Sequence, residues 1–225
     1  MSLGSTNAER HSRAALMDIY KAERSWDGWN SDGLAIANDL INLVLQAHNS
    51  QEPSVWHPSI LPQFPDLADR YLEATLVEIK KKLEQLEHKI SMMNRQIDRM
   101  ETAGESLLRI LPPMGSSAAK TFREPLATGS LEWYAQLISR VCRVYREAVE
   151  MRSGHIEDIR MSVTALESVG RLGRRLDSDE QMVRLSCWLH SPGLKNALLL
   201  DYKSSSLMLS DFDDLLKTEL GIEEI

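Results

Sequence analysis

The most regular pattern in the chain is a heptad repeat in its middle. Apolar side chains recur at alternating steps of three and four from Leu76 to Leu111, through five heptads in which only Gly104 is off-type. Five heptads with charged residues between them predict a coiled-coil helix. It begins after Asp66 as N-cap and ends at the proline pair 112–113, because proline removes a backbone donor. The predicted seam is Leu76, Ile79, Leu83, Leu86, Ile90, Met93, Ile97, Met100, Gly104, Leu107 and Leu111.

A second long helix is predicted to begin near Ser130. Its apolar stripe is Leu131, Tyr134, Ile138, Val141, Tyr145, Val149, Ile156, Ile159, Val163 and Leu166. The alternation of three- and four-residue steps fails between Tyr145 and Val149, which are four residues apart instead of three. Such a stutter locally unwinds a supercoil. Two helices of similar length joined by one loop, residues 112–129, most simply form an antiparallel coiled-coil hairpin over residues 66–170.

The flanking segments complete an all-α, elongated architecture. Residues 1–13 are expected to be a flexible N-terminus, and residues 14–48 an N-terminal helix interrupted between Trp26 and Gly33. Four prolines predict an extended linker over residues 49–65. Residues 171–225 are expected to form short helices, at 178–190 and 206–220, with an acidic end. No strand pattern is apparent.

Composition narrows the class of protein. The chain has 225 residues, 43% of them hydrophobic and 26% charged, as in an ordinary globular protein. Only 11 Gly and 8 Pro argue against a many-stranded β fold. No run of 18 apolar residues could span a membrane, and the polar start lacks the apolar core of a secretory signal. Two cysteines are too few for a disulfide framework, which favours a reducing compartment.

Charge disfavours direct nucleic-acid binding. The net charge is −7, and residues 211–225 carry six acidic residues against one lysine, or −5 of that total. Neutralising phosphates needs a net basic face. The arginines at positions 171, 174 and 175 are the only candidates for a nucleic-acid clamp, but a solvated loop after a helix C-terminus is favoured there.

No motif predicts a catalytic or cofactor site. The sequence lacks a nucleophile elbow, a phosphate-binding glycine loop and the H-E-x-x-H zinc pattern. Cys187 and His190 form half of a zinc pattern without a second pair, so a buried cysteine beside Trp188 is the favoured interpretation. We therefore expect no enzyme activity, metal or cofactor. Trp26 and Trp188 suit a core and an interface equally well.

Two stretches of the chain resemble the cyclin-dependent-kinase-interacting protein family. Trp26-x3-Asn30-x2-Gly33-Leu34-x2-Ala37-Asn38-x3-Asn42-Leu43 is similar to the family's W-x3-N-x2-G-F-x2-A-N-x3-N-L stretch. Leu185-Ser-Cys-Trp-Leu-His-Ser-Pro192 resembles its L-S-M-W-L-H-Q-P run, and Tyr145-Arg146, followed by Arg152, resembles its Y-R-K-E-L helix. The order of these motifs around a charged coiled coil also agrees.

The resemblance implies a non-enzymatic adaptor in the nucleus, with the cytoplasm as a second location. Family members are linked to cyclin-dependent kinases, and they are subunits of an AAA-ATPase assembly that acts on pre-ribosomes and on replication complexes. A helical protein partner, joined as a heteromeric coiled coil, is expected. The expected partner interface is Trp26, Asn30, Gly33, Leu34, Asn38, Asn42, Tyr145, Arg146, Trp188, His190 and Pro192. The alternative is a structural tether of a kinetochore or vesicle-tethering complex.

Overall fold

The chain is an all-α protein. A computed structural model describes residues 3–113, 115–116, 119, 122–169, 183, 188, 194, 198–202 and 205–222, with no account of the side chains at 3–6, 165–169, 198–202 and 205–206. Three long helices, α1 (Leu3–Asn49), α2 (Leu67–Ile110) and α3 (Leu131–Val169), account for most of it. A short hairpin, β1 (Leu198–Tyr202) and β2 (Ser205–Met208), then leads to α4 (Phe212–Leu220).

The described residues belong to two compact units. The first unit comprises Met1–Gly28, Met92–Val149 and Pro192–Ile225, and the second comprises Trp29–Ser91 and Glu150–Ser191. Each of α1, α2 and α3 therefore contributes residues to both units. The partial loop between α2 and α3 has neither helix nor strand among its described residues, as predicted.

The predicted heptad helix is confirmed. α2 begins one residue after Asp66, whose carbonyl accepts from the Arg70 amide, and it ends two residues before the proline pair 112–113. Its predicted seam is buried from Ile79 to Leu107, and only the two end positions are half-exposed. The sequence predicts this helix well because both of its signals, the spacing of apolar residues and the terminal prolines, act locally.

α3 is likewise close to the prediction and runs antiparallel to α2. The Ser130 hydroxyl accepts the Trp133 amide at 3.1 Å, as an N-cap does. Within the first unit, Ile138 of α3 lies against Gly104 of α2, while Arg146 bonds to Asp98. Later residues of α3 thus lie against earlier residues of α2, which is the antiparallel pairing predicted for the hairpin. The α3 stripe is buried at every position from Leu131 to Val163.

The predicted interruption of the N-terminal helix is wrong, and residues 3–13, which were expected to be flexible, belong to the same helix. α1 is continuous from Leu3 to Asn49. Glycine inside a helix costs about 1 kcal/mol relative to alanine, and burial of an apolar face readily exceeds that cost. Trp26 and Ala37, on either side of the predicted break, are both buried, and so is Leu16 near the start.

The proline-rich segment is not the extended linker that was predicted. It contains a 3₁₀ turn at Pro53–Val55 and further turns in which Ile60 bonds to His57 and Phe64 to Ile60. The indole of Trp56 donates to the carbonyl of Ser50 at 2.9 Å. Proline fixes φ near −65°, which suits turns as well as extended chain, so tertiary contacts decide between them.

The C-terminal segment contains strands that the pattern did not reveal. β1 pairs antiparallel with β2, with an irregularity between Leu198 and Leu200. A run of leucines has no period of its own, and a hairpin depends on pairing between segments rather than on local pattern. The predicted helix at 206–220 is confirmed only over α4, and the predicted helix at 178–190 lies mostly outside the described residues.

Candidate partner-binding site

The two stretches that carry the family resemblance meet at Trp188 in the second unit. Trp188 is only 3% exposed. A Cβ atom at Gly33 would lie 3.0 Å from Cζ2 of the Trp188 ring, so a larger residue would push the indole away by a few tenths of an ångström. The indole nitrogen donates to the carbonyl of Asn30 at 3.5 Å. Residues 158 positions apart are thereby joined at one packing site.

Arg152 of α3 supports this tryptophan. Its guanidinium carbon lies 5.4 Å from the centroid of the Trp188 ring, and Nη2 donates to the Trp188 carbonyl at 3.4 Å. Arg152 is 1% exposed, and this burial lowers its pKa to about 10. The guanidinium still carries its charge at neutral pH. A buried charge that lies over an indole face is a strong positional constraint on that ring.

Among the described residues, the surroundings of Trp188 are apolar and closely packed. A cavity of about 20 Å³ remains beside the ring, which is the size of one water molecule. It is lined by Ala37, Ile41, Leu86, His155, Ile156, Ile159 and Trp188. In the second unit Trp188 therefore serves the core, and the available surface for a partner lies elsewhere.

Trp26 and Tyr145 are also core residues, within the first unit. Their ring centroids are 4.4 Å apart at an interplanar angle of 44°. The Tyr145 hydroxyl donates to Oε1 of Glu23 at 3.1 Å. Burial raises the pKa of Glu23 to about 8, while the bond from Tyr145 opposes the rise and the nearby Asp27 and Asp213 add to it. Burial also raises the pKa of Tyr145 well above its ordinary value.

Arg146 is engaged by α2 rather than free for a partner. It donates to Oε2 of Glu101 at 2.6 Å and to Oδ1 of Asp98 at 3.0 Å. The bonds to Glu101 are the main reason that its pKa is raised further. This bidentate arrangement ties α3 to α2 within the first unit.

Among the expected interface residues, Asn38 and Asn42 are the exposed ones. Both lie on α1 in the second unit, where Leu34 and Asn30 are half-buried and Gly33 is buried. His190 and Pro192 lie outside the described residues, as does Cys187. In the part of the chain that the structure describes, no group of three or more His, Cys, Asp or Glu side chains could hold a metal ion.

Ion pairs hold α1 to α2 beside these asparagines. Lys82 bonds to Asp39 and Lys89 to Asp32, each at 2.7 Å. The Lys89 ammonium also lies 4.4 Å from the centroid of the Trp29 ring. These pairs are partly exposed, so each contributes little free energy, but together they fix which side of α1 faces solvent.

The sequence analysis did not identify a polar contact that Glu219 of α4 makes with the loop before α3, in the first unit. Its two carboxylate oxygens accept the amides of Ala127 and Thr128 at 2.8 and 2.9 Å, and the Thr128 hydroxyl donates at 2.6 Å. Although burial opposes it, this set of bonds lowers the pKa of Glu219. The only sequence signal was a glutamate on the apolar side of a short helix.

The most exposed large apolar side chains concentrate in the second unit. Among the described residues with a large exposed apolar side chain, only Leu108 belongs to the first unit. The others are Val55, Phe64, Tyr71, Val77, Met151, Met161 and Val183. Large apolar side chains that remain exposed are candidate anchors for a binding partner.

Among the described residues, no helix is both long enough and apolar enough to cross a membrane. No protein-family model matches this chain, and no curated protein matches it either. The resemblance stated above thus depends on its quoted motifs alone.

Proposed function

We propose that this chain is a non-enzymatic adaptor that joins a helical partner to an AAA-ATPase assembly. In line with the family resemblance, the proposed assembly acts in pre-ribosome maturation and genome replication. The chain also connects it to cell-cycle kinases, and the proposed location is the nucleus. The support is the motif pair around Trp26 and Trp188, together with the exposed apolar side chains of the second unit.

The observation that carries the proposal is the contrast between the buried seam and these exposed side chains. From Ile79 to Leu107 the heptad positions of α2 are covered by the chain itself. A partner has no open seam to enter, and it must bind on the outside. Val77 and Phe64, each about 60% exposed, are two of the anchors available in the second unit.

This assignment changes the expected roles of the predicted interface residues. Four of them are buried and pack between the helices of their own unit: Trp26, Tyr145, Gly33 and Trp188. Contact with the partner falls to exposed positions, which include Asn38 and Asn42 of α1. An anchor that is held by a folded unit loses less conformational entropy on binding than one on an unfolded segment.

The proposal is tested by affinity purification of the tagged chain with mass spectrometry. We compare the wild type with the double variant Phe64→Glu and Val77→Glu, and use Leu108→Glu in the first unit as the matched control. All three positions are exposed, so these variants should fold normally. Recovery of the AAA ATPase should fall at least tenfold with the double variant and stay unchanged with the control.

The other functions give different results in the same experiment. Recovery of centromere or vesicle-tethering proteins, without an AAA ATPase, would indicate the structural tether. Nucleic acid that is lost steeply as salt rises would indicate a clamp through the basic cluster at 171–175. Equal losses with the double variant and with Leu108→Glu would remove the second unit as the binding surface.

A further inference from the structure

An open groove lies between α1 and α2 in the first unit, and we call it the α1–α2 groove. It has a volume of about 630 Å³, and its lining residues fall within 11–18 of α1 and 98–110 of α2. All of them belong to the first unit, and most are exposed, so the groove is accessible from solvent. At 1.5 Å per residue its α2 side is about 18 Å long, or about three helical turns.

Small side chains line the middle of this groove. Ala15 of α1 and Ala103 of α2 are both buried there. Thr102 and Ser106 also line it, and their hydroxyls already donate to carbonyls of the same helix, at 2.8 and 2.6 Å. The groove therefore requires no polar group from a ligand at these positions. Small side chains also leave room for the ridge of another helix to enter.

The two sides of the α1–α2 groove carry opposite charges. On the α1 side, Asp18 is exposed, and its carboxylate has no hydrogen bond or ion pair among the described residues. On the α2 side, Arg99 is exposed and donates to the uncharged amide of Gln96 at 3.1 Å. The other charged residues on the α2 side are already in ion pairs, Asp98 with Arg146 and Arg109 with Glu105.

The form of the groove favours a helix over other ligands. Both of its sides are α-helices, whose backbone groups are paired internally, so an extended peptide would gain no main-chain hydrogen bonds there. A small molecule usually needs a pocket that buries most of its surface, whereas this groove is open along its length. A helix can place one ridge between two others and keep its remaining surface in solvent.

We propose that the α1–α2 groove binds an amphipathic helix of a partner protein. An aliphatic or small ridge of that helix packs on Ala15 and Ala103, a basic flank lies beside Asp18, and an acidic flank lies beside Arg99. Charges that flank an apolar seam select partners in this way in coiled coils. This binding site is additional to the second-unit side chains of the proposed function, and it does not depend on them.

Three synthetic helices test the proposal by calorimetric titration into the full chain. Each is a stapled peptide of about two heptads with the same Ala and Leu ridge, which spans the groove. The mixed peptide has lysines on one flank and glutamates on the other, and it can choose the direction that matches the groove. The acidic and basic peptides have like charges on both flanks. We expect the mixed peptide to bind at least tenfold more tightly than either of them.

Charge reversal of the groove should change this order of affinities. With Asp18→Lys both sides are basic, so the acidic peptide should bind most tightly. With Arg99→Glu both sides are acidic, so the basic peptide should do so. Both positions are exposed, so these variants should fold normally. An order that neither reversal changes overturns the proposal, and so does the absence of binding by the mixed peptide.

A blocking variant tests the location. Ala14 is exposed and lines the groove, so Ala14→Trp should weaken binding of the mixed peptide at least tenfold. Leu108→Trp is the matched control, because Leu108 is an exposed residue of α2 that does not line the groove. Equal losses in the two variants overturn the proposal.

Two further measurements separate this site from other surfaces. The double variant Phe64→Glu and Val77→Glu should bind the mixed peptide as the wild type does, so the groove and the second-unit surface can fail independently. Light scattering of the purified chain tests for a second copy as the occupant. A dimer that Ala14→Trp abolishes would identify that copy and overturn the assignment of the groove to a different protein.

Discussion

At the scale of single residues, the large aromatic side chains are the ones whose roles needed the structure. Trp26 and Trp188 are equally compatible with a core and with an interface when only their neighbours in sequence are known. Packing decides between the two. Trp188 occupies the gap that Gly33 leaves, and the Trp26 ring packs at an angle against Tyr145. A glycine in the middle of a helix, interpreted locally as a break, is here the space for a distant ring.

Buried charged residues were equally out of reach of pattern analysis. Glu23 and Arg152 lie on helices whose sequences contain many exposed charges, and nothing local distinguishes them. Their burial results from residues more than 30 positions away, Tyr145 in one case and Trp188 in the other. Such residues are found from tertiary contacts alone.

The packing of Trp188 predicts the cost of removing it. Trp188→Ala should destabilise the chain by about 3–5 kcal/mol, because a buried ring is lost and a cavity remains. For a chain of this length that lowers the melting temperature by about 10 °C. Thermal melts followed by circular dichroism measure it, with the exposed Asn42→Ala as the control. An unchanged melting temperature, with selective loss of partner binding, would return Trp188 to the interface.

At the scale of elements, the sequence predicted what is local and missed what is not. The starts and ends of α2 and α3 follow from apolar spacing, a capping residue and proline, and each of these acts within a few residues. The β1–β2 hairpin was missed because its stability depends on pairing. The continuity of α1 was missed because buried neighbours outweigh two glycines.

Leu86 allows the contribution of the α2 backbone to be separated from that of its side chain. Leu86→Pro removes a backbone hydrogen bond, clashes with the preceding turn and costs about 3 kcal/mol or more beyond the lost side chain. Leu86 is fully buried, so Leu86→Ala alone should cost about 2–5 kcal/mol while helicity at low temperature is retained. Far-ultraviolet circular dichroism should show a clear loss of helicity for the proline variant only. Overlapping spectra and melts of all three proteins would contradict a continuous α2.

At the scale of the whole molecule, the covered seam changes what the heptad repeat means. A repeat of five heptads normally signals a partner chain. Here α1 and α3 provide buried residues in both units alongside α2, so the apolar positions of the repeat are used within one chain. The partner-binding hypothesis therefore moves from the seam to the exposed apolar side chains of the second unit, none of which belongs to the predicted seam.

A covered seam makes a prediction about the isolated chain. Because self-association through the heptads would require exposing residues that are already buried, the purified protein should be a folded monomer of 25.5 kDa. Light scattering coupled to gel filtration at tens of micromolar measures the mass, and Phe64→Glu with Val77→Glu is the comparison. A dimer that persists in this double variant would mean that the seam opens and pairs between chains. A dimer that the double variant abolishes would instead identify the exposed surface of the second unit as self-complementary, since a few apolar anchors dominate such contacts.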